Sequence, residues 1–182
     1  GWRAFICGQD RPDGIRFDPG RIDFVPFRGR TKFYDKGDKR LALIDAALSA
    51  CRGRDGYYAQ WDADDLLHPE AVARIVAGDN GLGYLINRGY VADMASGSIA
   101  PLGPDPEEGG RAFWQACGSS AFVRYDFRTQ PRLWRALLRR MSSHTRIPEW
   151  MALSAMPLED IGFPAAIYAF NHGENMRRRR GR

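Results

Sequence analysis

Tyr57-Tyr58-Ala59-Gln60-Trp61-Asp62-Ala63-Asp64-Asp65-Leu66-Leu67-His68-Pro69 is the stretch on which the reading of this chain turns. Its aromatic and apolar start predicts a buried strand over 57–61. Three carboxylates then fall within four residues, and a Pro-initiated helix is predicted from Pro69 to Ala77. Carboxylates packed this closely raise one another's energy unless a cation sits among them. Asp62, Asp64 and Asp65 are therefore a candidate seat for magnesium or manganese, which take hard oxygen ligands and fill remaining positions with water and phosphate. The plainer reading is a solvated turn in which Asp64 or Asp65 caps the helix that follows.

Outward from this run, residues 2–7 and 22–27 read as strands, and the Gly- and charge-rich 28–37 as a loop. A helix is predicted over 39–52, capped by Asp38, because Leu41, Ile44, Ala47 and Leu48 recur at helical spacing. Strand material is expected over 83–87 and 89–92, and a mobile loop over 96–110. Ala112 to Val123 holds two apolar stretches around Gly118-Ser119-Ser120, read either as an acceptor lining or as a turn. A strong amphipathic helix is expected over 131–141, a weaker one over 148–155, and a last strand over 167–170. Strand and helix alternate through the first half, which argues for an α/β sandwich with a largely parallel sheet. Ligands bind beyond the carboxyl ends of such strands. The acidic run and Gln9-Asp10 both stand at such ends.

The 182 residues suit one domain with a real core. No apolar stretch approaches the roughly 20 residues that span a bilayer. The start is already strand-like, with no secretory signal and no initiator Met, so the chain is expected to begin inside a longer protein. Three widely spaced cysteines (Cys7, Cys51, Cys117) suggest a reducing, cytoplasmic setting without disulfides or zinc. The net charge is +5, and Arg177-Arg178-Arg179-Arg180-Gly181-Arg182 supplies five positive charges by itself. The basic balance thus reads as a property of a tail over 177–182, either a solvated extension or a peripheral contact with an anionic membrane face. Nucleic acid is not an expected partner of the body.

The run "YYAQWDADDLLHPEAV" resembles the DxD region of family-2-type glycosyltransferases with the GT-A fold. "WRAFICGQDRPD" is similar to the second strand of that fold, whose end carries an Asp pair on the nucleoside; here Gln9-Asp10 replaces it. "DKGDKRLALIDAALSACRGRDGYY" resembles the helix before the DxD strand, with Lys39 and Arg40 in the place that approaches the nucleotide. The match covers about residues 2–77, and the family's first strand is missing.

This resemblance implies a GT-A-type three-layer α/β sandwich with a mainly parallel central sheet flanked by helices. One domain would cover 1–176, with a nucleotide-sugar half over 1–77 and an acceptor half over 78–176. It implies an inverting transferase that moves a sugar from a nucleotide-diphosphate donor to a saccharide or other hydroxyl acceptor, assisted by Mn2+ or Mg2+. Gln9, Asp10, Lys39 and Asp62 would contact the nucleotide. Asp62, Asp64 and Asp65 would face the metal, joined by His172 from the late segment that often supplies a further ligand. Asp160, in the Glu159-Asp160 pair, would be the base that deprotonates the acceptor, with Glu149 its competitor. Two rival classes remain: a haloacid-dehalogenase-type phosphohydrolase, which also sets D-x-D after an apolar strand, and a non-catalytic module that binds a nucleotide or acts through its basic tail.

Overall fold

A computed structural model describes residues 1–14, 16–29, 35–105, 110–141 and 143–173. The basic tail over 177–182 lies outside the described residues, as do residues 30–34 of the expected loop over 28–37. The elements in chain order are β1 (Ala4–Gly8), β2 (Ile22–Pro26), α1 (Lys36–Ala50), β3 (Asp55–Ala59), β4 (Leu66–Leu67), α2 (Ala71–Gly78), β5 (Gly83–Leu85) and β6 (Gly89–Asp93). After these come β7 (Ser98–Leu102), α3 (Phe113–Ala116), β8 (Ala121–Asp126), α4 (Pro131–Arg140), α5 (Ile147–Leu153), β9 (Glu159–Asp160) and β10 (Ala166–Phe170). No helix among the described residues is long and apolar enough to cross a membrane.

The chain divides into two compact units, residues 1–56 with 125–142, and residues 57–124 with 143–182. In the first unit, β1 and β2 pair in parallel from Ala4↔Ile22 to Gly8↔Pro26. Helix α1 starts three residues before the predicted boundary, so Asp38 lies in its first turn rather than at its cap. A carboxylate there suits the positive end of the helix dipole. Asp35 takes the cap position and pairs with Lys39 Nζ one turn on, at 3.0 Å. Helices α1 and α4 pack together, and Ile44, Leu138 and Met141 are each about 1% exposed.

In the second unit, two mixed four-stranded sheets run in the orders β3-β8-β5-β9 and β4-β10-β6-β7. The mainly parallel sheet is therefore corrected. Pairs β10–β6 and β5–β9 are parallel, but β5–β8, β6–β7 and β10–β4 are antiparallel. Connection length explains the difference: a parallel pair needs a crossover of about a dozen residues. The four residues Met94–Gly97 between β6 and β7 permit only a hairpin.

That hairpin also corrects the expected loop over 96–110, whose first part is strand β7. Its turn is held by Asp93, whose Oδ1 accepts the Ala95 N–H at 2.9 Å, and by Gly97 at φ +70°. Pro101 fits because β7 is an edge strand, where a missing N–H breaks no ladder bond. The core of this unit gathers Ala71, Ile75, Tyr84, Ile86, Phe113, Cys117, Phe122, Ala165 and Ala166, with Tyr57, Ala59 and Trp61 packed against it.

Candidate functional site

The acidic turn leaves β3 and is braced from three directions. Within the turn, the Asp65 N–H donates to Asp62 O at 3.1 Å, and Trp61 Nε1 donates to Asp65 O at 3.0 Å. Trp61 also sits 6.0 Å from the Phe122 ring, so its indole belongs to the core rather than to a ligand face. From the loop before β8, Ser119 Oγ accepts the Asp62 N–H at 2.8 Å. From β10, the Ala169 N–H donates to Asp65 Oδ1 at 3.4 Å.

The three carboxylates have different fates. Asp65 is 6% exposed, and Cys117 Sγ–H points to its Oδ2 at 3.5 Å. Burial raises its pKa, hydrogen bonds from Ser119 and Cys117 oppose that rise, and the charges of Asp64 and Asp62 add to it. Burial and the Asp65 charge together push the Cys117 thiol far up, which makes it an inert donor. Asp64 keeps 40% of its side chain exposed and meets His172 Nε2 at 2.8 Å, across 108 residues of sequence. The route to this contact is β10. Held against Asp65 at Ala169, the strand ends at Phe170, and Asn171 turns the chain at φ +57° so that His172 follows directly.

Asp62 sits against Gly118. A Cβ at that position would lie 2.5 Å from Asp62 Oδ2, so only glycine leaves the carboxylate where it is. Gly118-Ser119-Ser120, read from sequence as an acceptor lining or a turn, is thus the bed of the acidic turn, with Ser119 and Ser120 at 0% and 1% exposure. Sequence reasoning missed this role, and Cys117 and Ser119 with it. The visible signal was a run of small residues opening a buried strand. Gln60, just before the turn, has both side-chain amide atoms buried and without a partner among the described residues. Such an amide costs roughly 1–3 kcal/mol until water or a ligand reaches it.

Asp160 lies on the same rim of the sheet. The Ile86 N–H donates to Ser120 O at 2.7 Å and the Ile161 N–H to Leu85 O at 3.0 Å. The ends of β3, β5 and β9 and the start of β8 therefore share one edge. In the strand order β9 stands three places from β3, about 14 Å across the sheet at the usual strand spacing. The Asp160 carboxylate accepts the Gly162 N–H at 2.8 Å and faces Arg88 Nη2 at 3.6 Å.

Glu149 lies in α5 of the second unit, whereas Gln9, Asp10 and Lys39 belong to the first. Gln9 and Asp10 are exposed directly after β1. Lys39, paired with Asp35, is close enough to Cys7 on that strand to oppose the burial that raises its thiol pKa.

Among the described residues, no group of three or more His, Cys, Asp or Glu is arranged to hold a metal ion. The structure brings together Asp64 with His172, and Asp65 with Cys117 and Ser119. Charge is also unevenly divided. Residues 57–124 and 143–176 carry 13 Asp and Glu against 5 Arg, a net −8, which favours cations near the turn. Comparison of the chain with family models, with curated proteins and with solved structures finds no match.

Proposed function

We propose that this chain is a metal-assisted glycosyltransferase domain of GT-A type, moving a sugar from a nucleotide-diphosphate donor to a hydroxyl acceptor. The observation that carries the reading is the Asp64–His172 contact. The DxD-like turn and a late His are the two segments from which such an enzyme draws its ligands, and here they meet at 2.8 Å. The shared rim of Asp62 and Asp160 adds support, because ligands gather beyond strand ends.

The donor chemistry fits a cation of the manganese class. Carboxylate oxygens on half-buried Asp62 and exposed Asp64 suit either magnesium or manganese, and the imidazole of His172 tips the set toward manganese. Asp65, whose oxygens already accept protein donors, braces the turn in this reading. When bound, the ion would neutralise charge growing on the departing diphosphate.

The chain's own residues then have separable tasks. Asp64 and His172 hold each other in place at the donor end. Asp160, kept in position by the Gly162 N–H and Arg88, takes the proton of the acceptor hydroxyl. The acceptor oxygen bonds to the anomeric carbon as the bond from that carbon to the diphosphate oxygen breaks, and the diphosphate leaves with the electron pair. Inversion at the anomeric carbon follows from this single displacement.

Calorimetric titration of UDP and GDP, with and without manganese, tests the reading on the whole chain and on Asp64→Ala. Binding that needs manganese and disappears in the variant is expected. Metal-independent binding that survives in Asp64→Ala would overturn it.

A further inference from the structure

Helices α1 and α4 border an open cavity of about 450 Å³, lined by Asp45, Leu48, Ser49 and Arg52 from one side and by Phe127, Pro131, Arg132 and Arg135 from the other. This volume falls in the range of small-molecule sites, which run from roughly 300 to 1,000 Å³. Its walls hold three guanidinium groups against a single carboxylate. That carboxylate is already committed, since Asp45 Oδ1 accepts from Arg135 Nη2 and Asp45 Oδ2 from Arg139 Nη2, each at 2.8 Å. Arg52 and Arg132 are exposed, and neither has a hydrogen-bond or ion-pair partner among the described residues.

The surrounding unit reinforces the imbalance. Residues 1–56 and 125–142 carry 17 Lys and Arg against 9 Asp and Glu, a net +8. Helix α4 contributes Arg132, Arg135, Arg139 and Arg140 and no acidic residue. Guanidinium groups gathered on one cavity repel one another, and an anion with several oxygens relieves that repulsion through two-pronged hydrogen bonds. Leu48, Phe127 and Pro131 give the same cavity apolar wall on which the body of such a ligand can rest.

We propose that the α1–α4 cavity binds a phosphate ester without a metal ion, through Arg52, Arg132 and Arg135. The phosphate could belong to a soluble metabolite or to a lipid headgroup; its recognition chemistry is the same in both. None of the residues assigned to the donor site takes part, so the inference stands or falls apart from the glycosyltransferase reading.

The test uses the full chain in the presence of a chelator. Inorganic phosphate and pyrophosphate are titrated calorimetrically. Flotation is measured in parallel with phosphatidylcholine vesicles, with and without phosphatidylglycerol. Arg132→Ala should weaken binding about tenfold, and adding Arg52→Ala should weaken it further. Asp64→Ala should leave it unchanged. Arg16→Ala with Arg21→Ala removes the same charge elsewhere in the unit and should have little effect. Saturable pyrophosphate binding with this pattern supports a soluble ligand. Flotation confined to phosphatidylglycerol vesicles, with the same arginine dependence, supports the headgroup. Absence of binding in both arms overturns the proposal, as does an equal loss in the Arg16–Arg21 control. Thermal melts establish that each variant is folded.

Discussion

Asp45 and Asp65 are each held by at least two side chains, yet they solve opposite problems. Asp45 lies on a unit with net charge +8 and keeps 40% of its side chain exposed, gripped by two arginines. Burial works against its ionisation, but hydrogen bonds and charge from Arg135 and Arg139 prevail and lower its pKa from 3.8. Asp65 lies in the acidic unit and has no cation beside it among the described residues. Its partners are a thiol, a hydroxyl and a backbone N–H, and burial prevails, so its pKa rises from 3.8. A carboxylate among arginines is part of a surface that favours anions. A carboxylate buried among neutral donors is a structural pin, and it leaves its neighbour Asp64, with 40% of its side chain exposed, to meet His172.

The largest effect should come from removing the pin. Asp65→Ala leaves the Ser119, Cys117 and Ala169 donors without their acceptor in a buried place. We expect a loss of about 3 kcal/mol of stability, read as a drop in melting temperature of about 10 °C for a chain of this size. A melt within about 2 °C of the parent would remove Asp65 from that role.

His172→Ala should sharpen the division between pin and ligand. It breaks an exposed contact, so stability should change by less than about 1 kcal/mol. Manganese-dependent nucleotide binding should weaken about tenfold, the worth of one charge-assisted contact. An unchanged manganese dependence would make the contact with Asp64 an ordinary surface pair.

Gly118→Ala probes the bed of the turn. The new methyl group would displace the Asp62 carboxylate, which is the free end of a side chain and can move at a cost of about 1 kcal/mol. Folding should survive while manganese-dependent binding weakens severalfold. Equal binding by parent and variant would take Asp62 out of the donor site.

The smallest effect belongs to Asp45. Its lowered pKa contributes stability that is fully present above pH 3.8 and is lost as pH falls through the lowered value. Because the group is well exposed, solvent screening keeps this contribution to about 0.5 kcal/mol. Chemical denaturation of parent and Arg135→Ala from pH 6 to pH 2 should show curves that converge at the acid end. A gap that persists there would mean that Arg135 stabilises by packing rather than by charge.

Much of the local structure was legible in the sequence. Strand β3, the turn after it, the amphipathic α4 and the strand β10 that leads to His172 all follow from periodicity and turn residues, which act over neighbouring positions. Two features were hidden by their distance in the chain. The partition into a +8 unit and a −3 unit cannot be seen in a total of +5, because the basic unit is assembled from residues 1–56 and 125–142. The work of Gly118 and Ser119 was equally hidden, because each acts on Asp62 across more than fifty residues.

The sequence by itself determined that three carboxylates would crowd together after an aromatic strand, since their spacing is covalent; that strand, expected to be buried, is half-buried throughout. Only the tertiary structure decided which of them is buried as a pin and which meets His172. That choice depends on burial and on donors contributed by the loop before β8 and by strand β10, and neither is encoded within the turn.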